Sequence, residues 1–177
     1  PEKLIKEGLA DKESSYIYAL GQLALWSAHS DKITRKGSNS GEHILSNDDE
    51  SRLVIPNPKL APYGFAAVEL MKRLKVYHLW QKRLITAQNV AQAQQFILSG
   101  SVPFGFIPLS QINALPPDQR GSYWQVPASL YPPIVQRVVL LEKGRQNPAA
   151  AAFLEFLKSA QSRKIIRESG YLPEPSN

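Results

Sequence analysis

The chain has 177 residues, with 21 Lys and Arg against 15 Asp and Glu, a formal net charge of +6 and no cysteine. That length can bury a core as one domain or as two small lobes, and the ordinary composition argues against wholesale disorder. The lack of cysteine excludes disulfide frameworks, thiolate zinc sites and cysteine nucleophiles, and no apolar run reaches the roughly 18 residues of a membrane helix, so we expect no membrane insertion.

Strand and helix patterns alternate along the first half of the chain. The predicted helices are residues 1–8, 62–74, 75–82 and 90–98, and the predicted strands are residues 16–27, 52–55 and 83–86. Gly8 and Gly100 stand where a helix should end, and Asn89 suits a helix cap. Residues 11–14 indicate a polar turn, and residues 28–51 a turn-rich loop with room for one short helix.

The helix predicted over residues 62–74 is amphipathic. Four apolar residues recur at helical spacing, and we expect them to face the core: Phe65, Val68, Met71 and Leu74. The charged residues of the same helix should then face solvent: Glu69, Lys72 and Arg73.

The second half continues the alternation. It predicts strands at residues 102–107, 124–126 and 134–141, helices at 147–159 and 160–169, and a loop over 111–122. Strands that alternate with helices throughout a chain are typical of an α/β fold, and we expect a mostly parallel sheet.

Enzymatic constellations are missing from the sequence. His29, His43 and His78 show no metal-ligand spacing, and His78 lies in an aromatic helix where we expect it to pack. No nucleophile-elbow, Walker or dinucleotide-binding pattern occurs, and GSNSG at residues 37–41 is a polar loop with only a weak likeness to a phosphate cradle. We therefore expect no enzyme, no cofactor and no metal site.

The basic residues do not predict a nucleic-acid interface. They are spread over separate predicted helices: Lys72, Arg73, Lys75, Lys82, Arg83, Arg163, Lys164 and Arg167. A nucleic-acid binder concentrates its cations on one face, usually beside exposed aromatic residues, so solvated helix surfaces are the simpler interpretation.

Two helix starts are more informative. Each follows a strand after a tight turn, one at Pro62-Tyr63-Gly64 and the other at Asn89-Val90. Unpaired N–H groups and the positive end of the helix dipole face outward at such starts. In an open α/β sheet they gather at the carboxyl ends of the strands, where two of them can hold an anion without a cationic side chain.

At these residues the chain resembles a known family. The segments LVIPNPKLAPYGFAAVELMKRL, TAQNVAQAQQFILSGSVPFGFIPLSQI, SYWQVPASLYPPIVQRVV and NPAAAAFLEFLKSAQSRKIIRESGY closely resemble the periplasmic molybdate-binding proteins of molybdate ABC transporters. The opening segments PEKLIKEGLA and YIYALGQLALWS are similar to that family as well.

The resemblance implies a type II periplasmic-binding-protein fold, in which two α/β lobes are joined by two crossover strands and close on a tetrahedral oxyanion. The crossovers would be residues 16–26 and 134–141. Residues 22–138 would form a nearly complete lobe 2, and residues 1–21 and 139–177 the remnant of an incomplete lobe 1.

The resemblance also assigns site residues. Tyr63 in APYG and Val90 in QNVAQ match the family positions that donate to the oxyanion from lobe 2. Tyr63 could give its main-chain N–H, its hydroxyl or both, whereas Val90 can give only its N–H. Some members carry a tyrosine at the position of Pro108; proline has neither group, so Pro108 should contribute nothing and Tyr63 should take that role. The only metal expected is that of the bound oxyanion.

The family's opening segments have no counterpart ahead of Pro1. They comprise a strand, a serine-containing turn and a glycine-rich turn of the GSSG type, which supply the ligands of the other lobe. Because Met71 is the only methionine, we expect a processed product or part of a longer protein, with only half of the oxyanion's donors and weak binding.

The implied function is a periplasmic solute-binding protein that captures molybdate or tungstate and passes it to the permease and ATPase of an ABC transporter. We expect no signal peptide within this chain. A site of neutral donors favours a fully deprotonated dianion over phosphate, whose proton needs an acceptor, while sulfate must be rejected by size. The alternatives are a binding protein for sulfate or another oxyanion, or a regulatory module that senses an oxyanion.

Overall fold

The computed structural model describes residues 1–34, 40–47 and 51–173, so residues 37–39 of the GSNSG loop lie outside the described residues. The helices are α1 Glu2–Lys6, α2 Gly41–Ser46, α3 Pro62–Arg73, α4 Tyr77–Trp80, α5 Val90–Leu98, α6 Leu109–Ala114, α7 Pro148–Lys158 and α8 Ala160–Glu168. The strands are β1 Ala10–Gly21, β2 Leu23–Ser27, β3 Leu53–Pro56, β4 Leu84–Ala87, β5 Phe104–Pro108, β6 Ser122–Gln125, β7 Ile134–Leu141 and β8 Tyr171–Pro173. This composition confirms the α/β class. Within the described ranges, no helix combines the length and apolarity needed to cross a bilayer.

Contacts within the chain divide it into two compact units. The first unit is Pro1–Gly21 with Val135–Asn177, and the second is Gln22–Ile134. The first carries a three-stranded sheet in the order β7-β1-β8, and the second a five-stranded sheet in the order β4-β3-β5-β2-β6. Their assignment to two lobes, with the second boundary between residues 138 and 139, stays a prediction.

The five-stranded sheet is mixed. β3 pairs in parallel with β4 and β5, whereas β2 pairs antiparallel with β5 and β6. The expectation of a mostly parallel sheet was therefore wrong at β2. A single residue, Gln22, separates β2 from β1, and Leu23 pairs with Pro108 at the carboxyl end of β5. The chain thus enters β2 beside the carboxyl end of β5. β2 is antiparallel to β5 because no crossover helix carries the chain back to the amino end of the sheet.

Alternate residues of β2 divide between two core layers, as the pleat requires. Leu23 and Leu25 belong to the layer that includes Leu70 and Met71 of α3. Residues of the opposite parity join the layer that contains α5 and α6: Ala24 and Trp26 with Ala93, Ile97, Leu109 and Ile112. α3 therefore covers one face of the sheet, and α5 and α6 cover the other.

The buried side of α3 agrees with the prediction at Val68, Met71 and Leu74 but not at Phe65. Ala66, Ala67 and Leu70 have almost no exposed surface, whereas Phe65 is 49% exposed. Small residues allow the helix axis to approach β3 and β5, against which α3 packs, more closely than a phenyl ring would. Phe65 therefore lies on the solvent side despite its spacing from Met71.

Three other elements differ from the prediction. Residues 11–14 lie within β1 rather than in a turn, where Leu140 N donates to Ser14 Oγ at 2.8 Å. Residues 109–114 form α6 where a loop was expected, because Leu109 and Ile112 share one buried side of a short helix. β8 was not predicted, since its three residues have no pattern of their own and pair with the end of β1.

Candidate functional site

Two loops leave the same edge of the five-stranded sheet. β3 ends at Pro56 and β4 at Ala87, and these two residues are register partners in a parallel pair. α3 follows β3 on one face of the sheet, and α5 follows β4 on the other. The N-termini of both helices therefore face one shared edge, which is where ligands bind in open α/β sheets. We call this region the carboxyl edge; it comprises the loops of residues 57–61 and 88–89 and the helix starts that follow them.

Asn57 organises the loop before α3. Its carbonyl oxygen accepts hydrogen bonds from Leu60 N at 3.0 Å and from Ala61 N at 2.8 Å. Its side-chain Oδ1 accepts a third from Lys59 N at 3.0 Å. Because one residue binds three successive loop amides, the direction in which the chain enters α3 is fixed.

Gly64 brings the first turn of α3 against the end of β3. A Cβ atom added at Gly64 would lie 2.0 Å from the carbonyl oxygen of Pro56, a backbone atom that cannot move aside. Only glycine therefore fits at this point. The close approach carries the positive end of the α3 dipole to the edge of the sheet.

Tyr63 is the second residue of α3, and its two polar groups lie in different surroundings. Its N–H belongs to the first helical turn, whose amides point away from the helix body. Its side chain is only 8% exposed and packs in the core layer of α3, and its hydroxyl oxygen is buried. An anion that arrives from solvent therefore cannot touch the hydroxyl without rearrangement of the core.

Asn89 and Gln92 cap α5 reciprocally. Asn89 Oδ1 accepts a hydrogen bond from Gln92 N at 2.9 Å, and Gln92 Oε1 accepts one from Gln88 N at 2.6 Å. The carbonyl of Asn89 accepts from Ala93 N at 3.1 Å. Among the described residues, none accepts a hydrogen bond from the Val90 N–H. The cap thus occupies the amides of Gln88 and Gln92, two residues before and two residues after Val90.

A third helix start at the same end of the sheet is already occupied. α6 begins directly after β5, and Leu109 N donates to the carbonyl of Gln22 at 2.9 Å. Pro108, which precedes it, is buried and has no N–H. The first turns of α3 and α5 also contain no acidic residue that would oppose an anion.

Neutral groups surround the start of β2. The Tyr131 hydroxyl accepts a hydrogen bond from Leu23 N at 3.2 Å, and Gln125 Nε2 donates to Gln22 Oε1. Burial raises the pKa of Tyr131, although the Leu23 N–H opposes that shift by favouring the phenolate. The hydroxyl is therefore neutral at physiological pH.

The other residues considered from the sequence lie apart from the carboxyl edge. His29, His43 and His78 are all exposed, so the expected packing of His78 was wrong: α4 is a single turn that buries Trp80 instead. No group of three or more His, Asp or Glu side chains able to hold a metal ion occurs in the described part of the chain. Some of the basic residues have local partners, as in Lys72 with Glu69 at 2.8 Å and Arg83 over the Trp80 ring at 4.5 Å.

The sequence pointed to Tyr63, Val90 and the Asn89 cap, but Asn57, Gln92 and Gly64 were missed. Asn57 is followed by proline, a dipeptide that commonly starts a turn. The spacing of Asn89 and Gln92 is that of a capping box. Both signals are present in the sequence. Gly64 could not have been found in this way, since its need for space depends on the carbonyl of Pro56 in a different element.

A model of the family described as "Bacterial extracellular solute-binding protein" matches residues 1–172. The molybdate-binding protein ModA of Rhodobacter capsulatus is 41% identical over 174 residues, which cover 98% of this chain and 66% of that protein. ModA of Azotobacter vinelandii is 39% identical over 171 residues, covering 97% of this chain and 66% of that protein. The chain therefore spans less than two thirds of the length of these relatives.

A solved structure supports the same fold. The periplasmic molybdate-binding protein of Azotobacter vinelandii superposes with a TM-score of 0.84 at 32% identity. The superposition covers 99% of this chain and 74% of that structure. The chain thus has the fold of a periplasmic solute-binding protein over nearly all of its own length.

Proposed function

Because the chain belongs to the bacterial extracellular solute-binding proteins, we propose that its protein captures molybdate or tungstate in the periplasm for an ABC transporter. The relatives that are about 40% identical are named as molybdate-binding proteins and not as enzymes. Delivery would be to a membrane permease that works with an ATPase.

The observation that carries the proposal is the pair of helix starts at one sheet edge. Tyr63 and Val90 stand at the starts of α3 and α5, behind strands whose last residues are direct partners. We propose that the main-chain N–H groups of both residues donate to oxyanion oxygens. The buried Tyr63 hydroxyl favours the N–H over the hydroxyl as the donor of that residue.

The chemistry of these donors supports a fully deprotonated dianion. Main-chain N–H groups donate hydrogen bonds and accept none, so a hydrogen phosphate ion would bring a proton that finds no acceptor. The positive ends of two helix dipoles offset the charge without a cationic side chain. Sulfate is also a dianion, and we propose that it is rejected because it is smaller than molybdate and cannot reach all donors at once.

We further propose that the second unit, Gln22–Ile134, is one lobe of the binding protein and that the first unit belongs to the other lobe. Both proposed donors stand on the second unit. The remaining ligands would come from the other lobe, as the family resemblance implies.

Calorimetric titration of the full-length natural protein tests the function. We expect molybdate and tungstate to bind with submicromolar dissociation constants, typical of tight small-ligand sites, and sulfate at least about 100-fold more weakly, a difference of roughly 2.7 kcal/mol. Phosphate should give no heat at pH 7. If sulfate bound more tightly than molybdate, the protein would be a sulfate-binding protein instead. If none of the four anions gave a binding heat, an oxyanion-binding function would be contradicted.

A further inference from the structure

Gln92 lies one turn inside α5, yet its side chain reaches back to the loop before the helix. Its Oε1 accepts the Gln88 N–H at 2.6 Å, while its own N–H donates to Asn89 Oδ1 at 2.9 Å. The two side chains therefore engage one amide before Val90 and one after it. The Val90 N–H, between them, has no acceptor among the described residues.

This pattern leaves the amides at the start of α5, that of Val90 among them, for a ligand. At a helix start without such a cap the loop is less firmly held, and its N–H groups must be ordered when an anion binds. Here the Gln88 and Gln92 amides are already bonded, and the loop of residues 88–89 is held at both ends. The Val90 N–H is thereby fixed in direction before any ligand arrives, which lowers the ordering cost of binding.

The geometry points to Gln92 as a positioning residue for the oxyanion, acting through the Val90 N–H without touching the ligand itself. This inference rests on the proposed function, because the ligand is the one proposed above. Gln92 carries no charge, so it holds the loop without repelling a dianion; a glutamate would cap the helix equally well but would repel the ligand.

The test uses three variants of the full-length natural protein, titrated with molybdate. Gln92→Leu removes the acceptor for the Gln88 N–H, and we expect molybdate affinity to fall about 3- to 10-fold, the worth of one ordinary hydrogen bond. Gln92→Glu restores an acceptor but adds a negative charge, so its affinity should fall as well and then recover partly as salt is raised. Ser159→Ala removes the corresponding cap of α8, where Ser159 Oγ accepts from Ser162 N at 3.1 Å, and should leave affinity unchanged.

Two results of the titrations would overturn the inference. Gln92→Leu could bind molybdate as tightly as the unaltered protein, or Ser159→Ala could weaken binding to the same extent, which would make the effect one of general stability. A salt-dependent loss in Gln92→Glu is a readout that a merely structural role of Gln92 would not produce.

Amide hydrogen exchange tests the positioning without any ligand. In Gln92→Leu the Gln88 amide should exchange faster by about the same 3- to 10-fold, because its acceptor is gone. Unchanged exchange at Gln88 would overturn the inference even if the protein binds molybdate. Failure of the unaltered protein to bind molybdate, with faster exchange in the variant, would instead refute the proposed function and leave the positioning supported.

Discussion

The proposed role of the Val90 N–H can be tested directly, because one substitution removes that group. Val90 is the first residue of α5, a position at which proline is favoured. Asn89 before it has φ −152° and ψ 177°, an extended conformation that a following proline also prefers. Val90→Pro should therefore delete the donor and keep the helix.

We expect Val90→Pro to weaken molybdate binding about 10- to 100-fold, the worth of a hydrogen bond to a charged group. Isothermal titration calorimetry measures the change. Val90→Ala keeps the N–H and should bind within about twofold of the unaltered protein, a difference below 0.5 kcal/mol. Ala160→Pro makes the matched change at the first residue of α8 and should not affect binding; equal affinities in all variants would exclude the Val90 N–H as a donor.

A substitution at Tyr63 distinguishes its hydroxyl from its main-chain N–H, the two possible donors that the sequence left open. Its hydroxyl is buried in the core layer of α3, so the proposed donor is the N–H. Tyr63→Phe removes only the hydroxyl, and molybdate affinity should stay within about twofold. A loss of tenfold or more in a variant that melts at the same temperature would assign the hydroxyl to the site instead.

Tyr131 gives a pH dependence whose sign follows from its burial. Its pKa is raised in the folded protein, so its phenol remains protonated where the unfolded chain already ionises. The stability it contributes is complete below about pH 10 and is lost as the pH rises above that value. Urea unfolding between pH 9 and 11 should show a steeper fall for the unaltered protein than for Tyr131→Phe. If the free energy of unfolding fell equally with pH in both proteins, the raised pKa of Tyr131 would be contradicted.

At the scale of elements, the end of α3 carries a local strain. Lys75 has φ 60°, in the left-handed region that favours glycine. Val76 N bonds to Met71 O and Lys75 N to Lys72 O, both at 2.9 Å, which is the Schellman pattern of a helix end. Lysine here keeps the motif at a conformational cost that glycine would avoid.

Lys75→Gly should raise the free energy of unfolding by about 1 kcal/mol, since it relieves the left-handed strain. Urea denaturation monitored by tryptophan fluorescence measures the shift. Lys75→Ala is the matched control: it removes the same charge but keeps a Cβ, and it should leave stability unchanged. If both variants gain equally, the charge and not the backbone conformation sets the cost.

Elements with strong local signals were predictable from the sequence. The bounds of α5 follow from the Asn89 cap and Gly100, and β7 from its β-branched run. The exposure of Phe65 in α3 was not, because the close packing of that helix on the sheet favours Ala66 and Ala67 over Phe65. Likewise, residues 16–27 form the end of β1 and all of β2 instead of one strand, because the chain passes from one sheet to the other at Gln22. No sequence pattern within residues 16–27 marks that change of sheet.

The candidate site shows the same division between local and distant causes. Val90 and Tyr63 could be found because a helix start after a strand is a local pattern. The space that Gly64 leaves for Pro56, and the burial of the Tyr63 hydroxyl, depend on residues brought together only by folding. The sequence therefore indicated which residues to propose as donors but left open which group of Tyr63 would donate.

At the scale of the molecule, both hydrophobic core clusters described are built from residues of the second unit, Gln22–Ile134. The first unit leaves large apolar side chains exposed, among them Phe153 at 56% and Ile165 at 48%. The proposed donors thus stand on the unit that has its own packed core. A packed core holds the starts of α3 and α5 in fixed positions, as a preorganised anion site requires.

The most direct measurement is a crystal structure of the full-length protein with tungstate, located by the anomalous scattering of tungsten. We predict the oxyanion at the carboxyl edge beside β3 and β4, with oxygens about 2.7–3.2 Å from the main-chain nitrogens of Tyr63 and Val90. Tungstate bound elsewhere, or bound at this edge with neither nitrogen in hydrogen-bond reach, would contradict it.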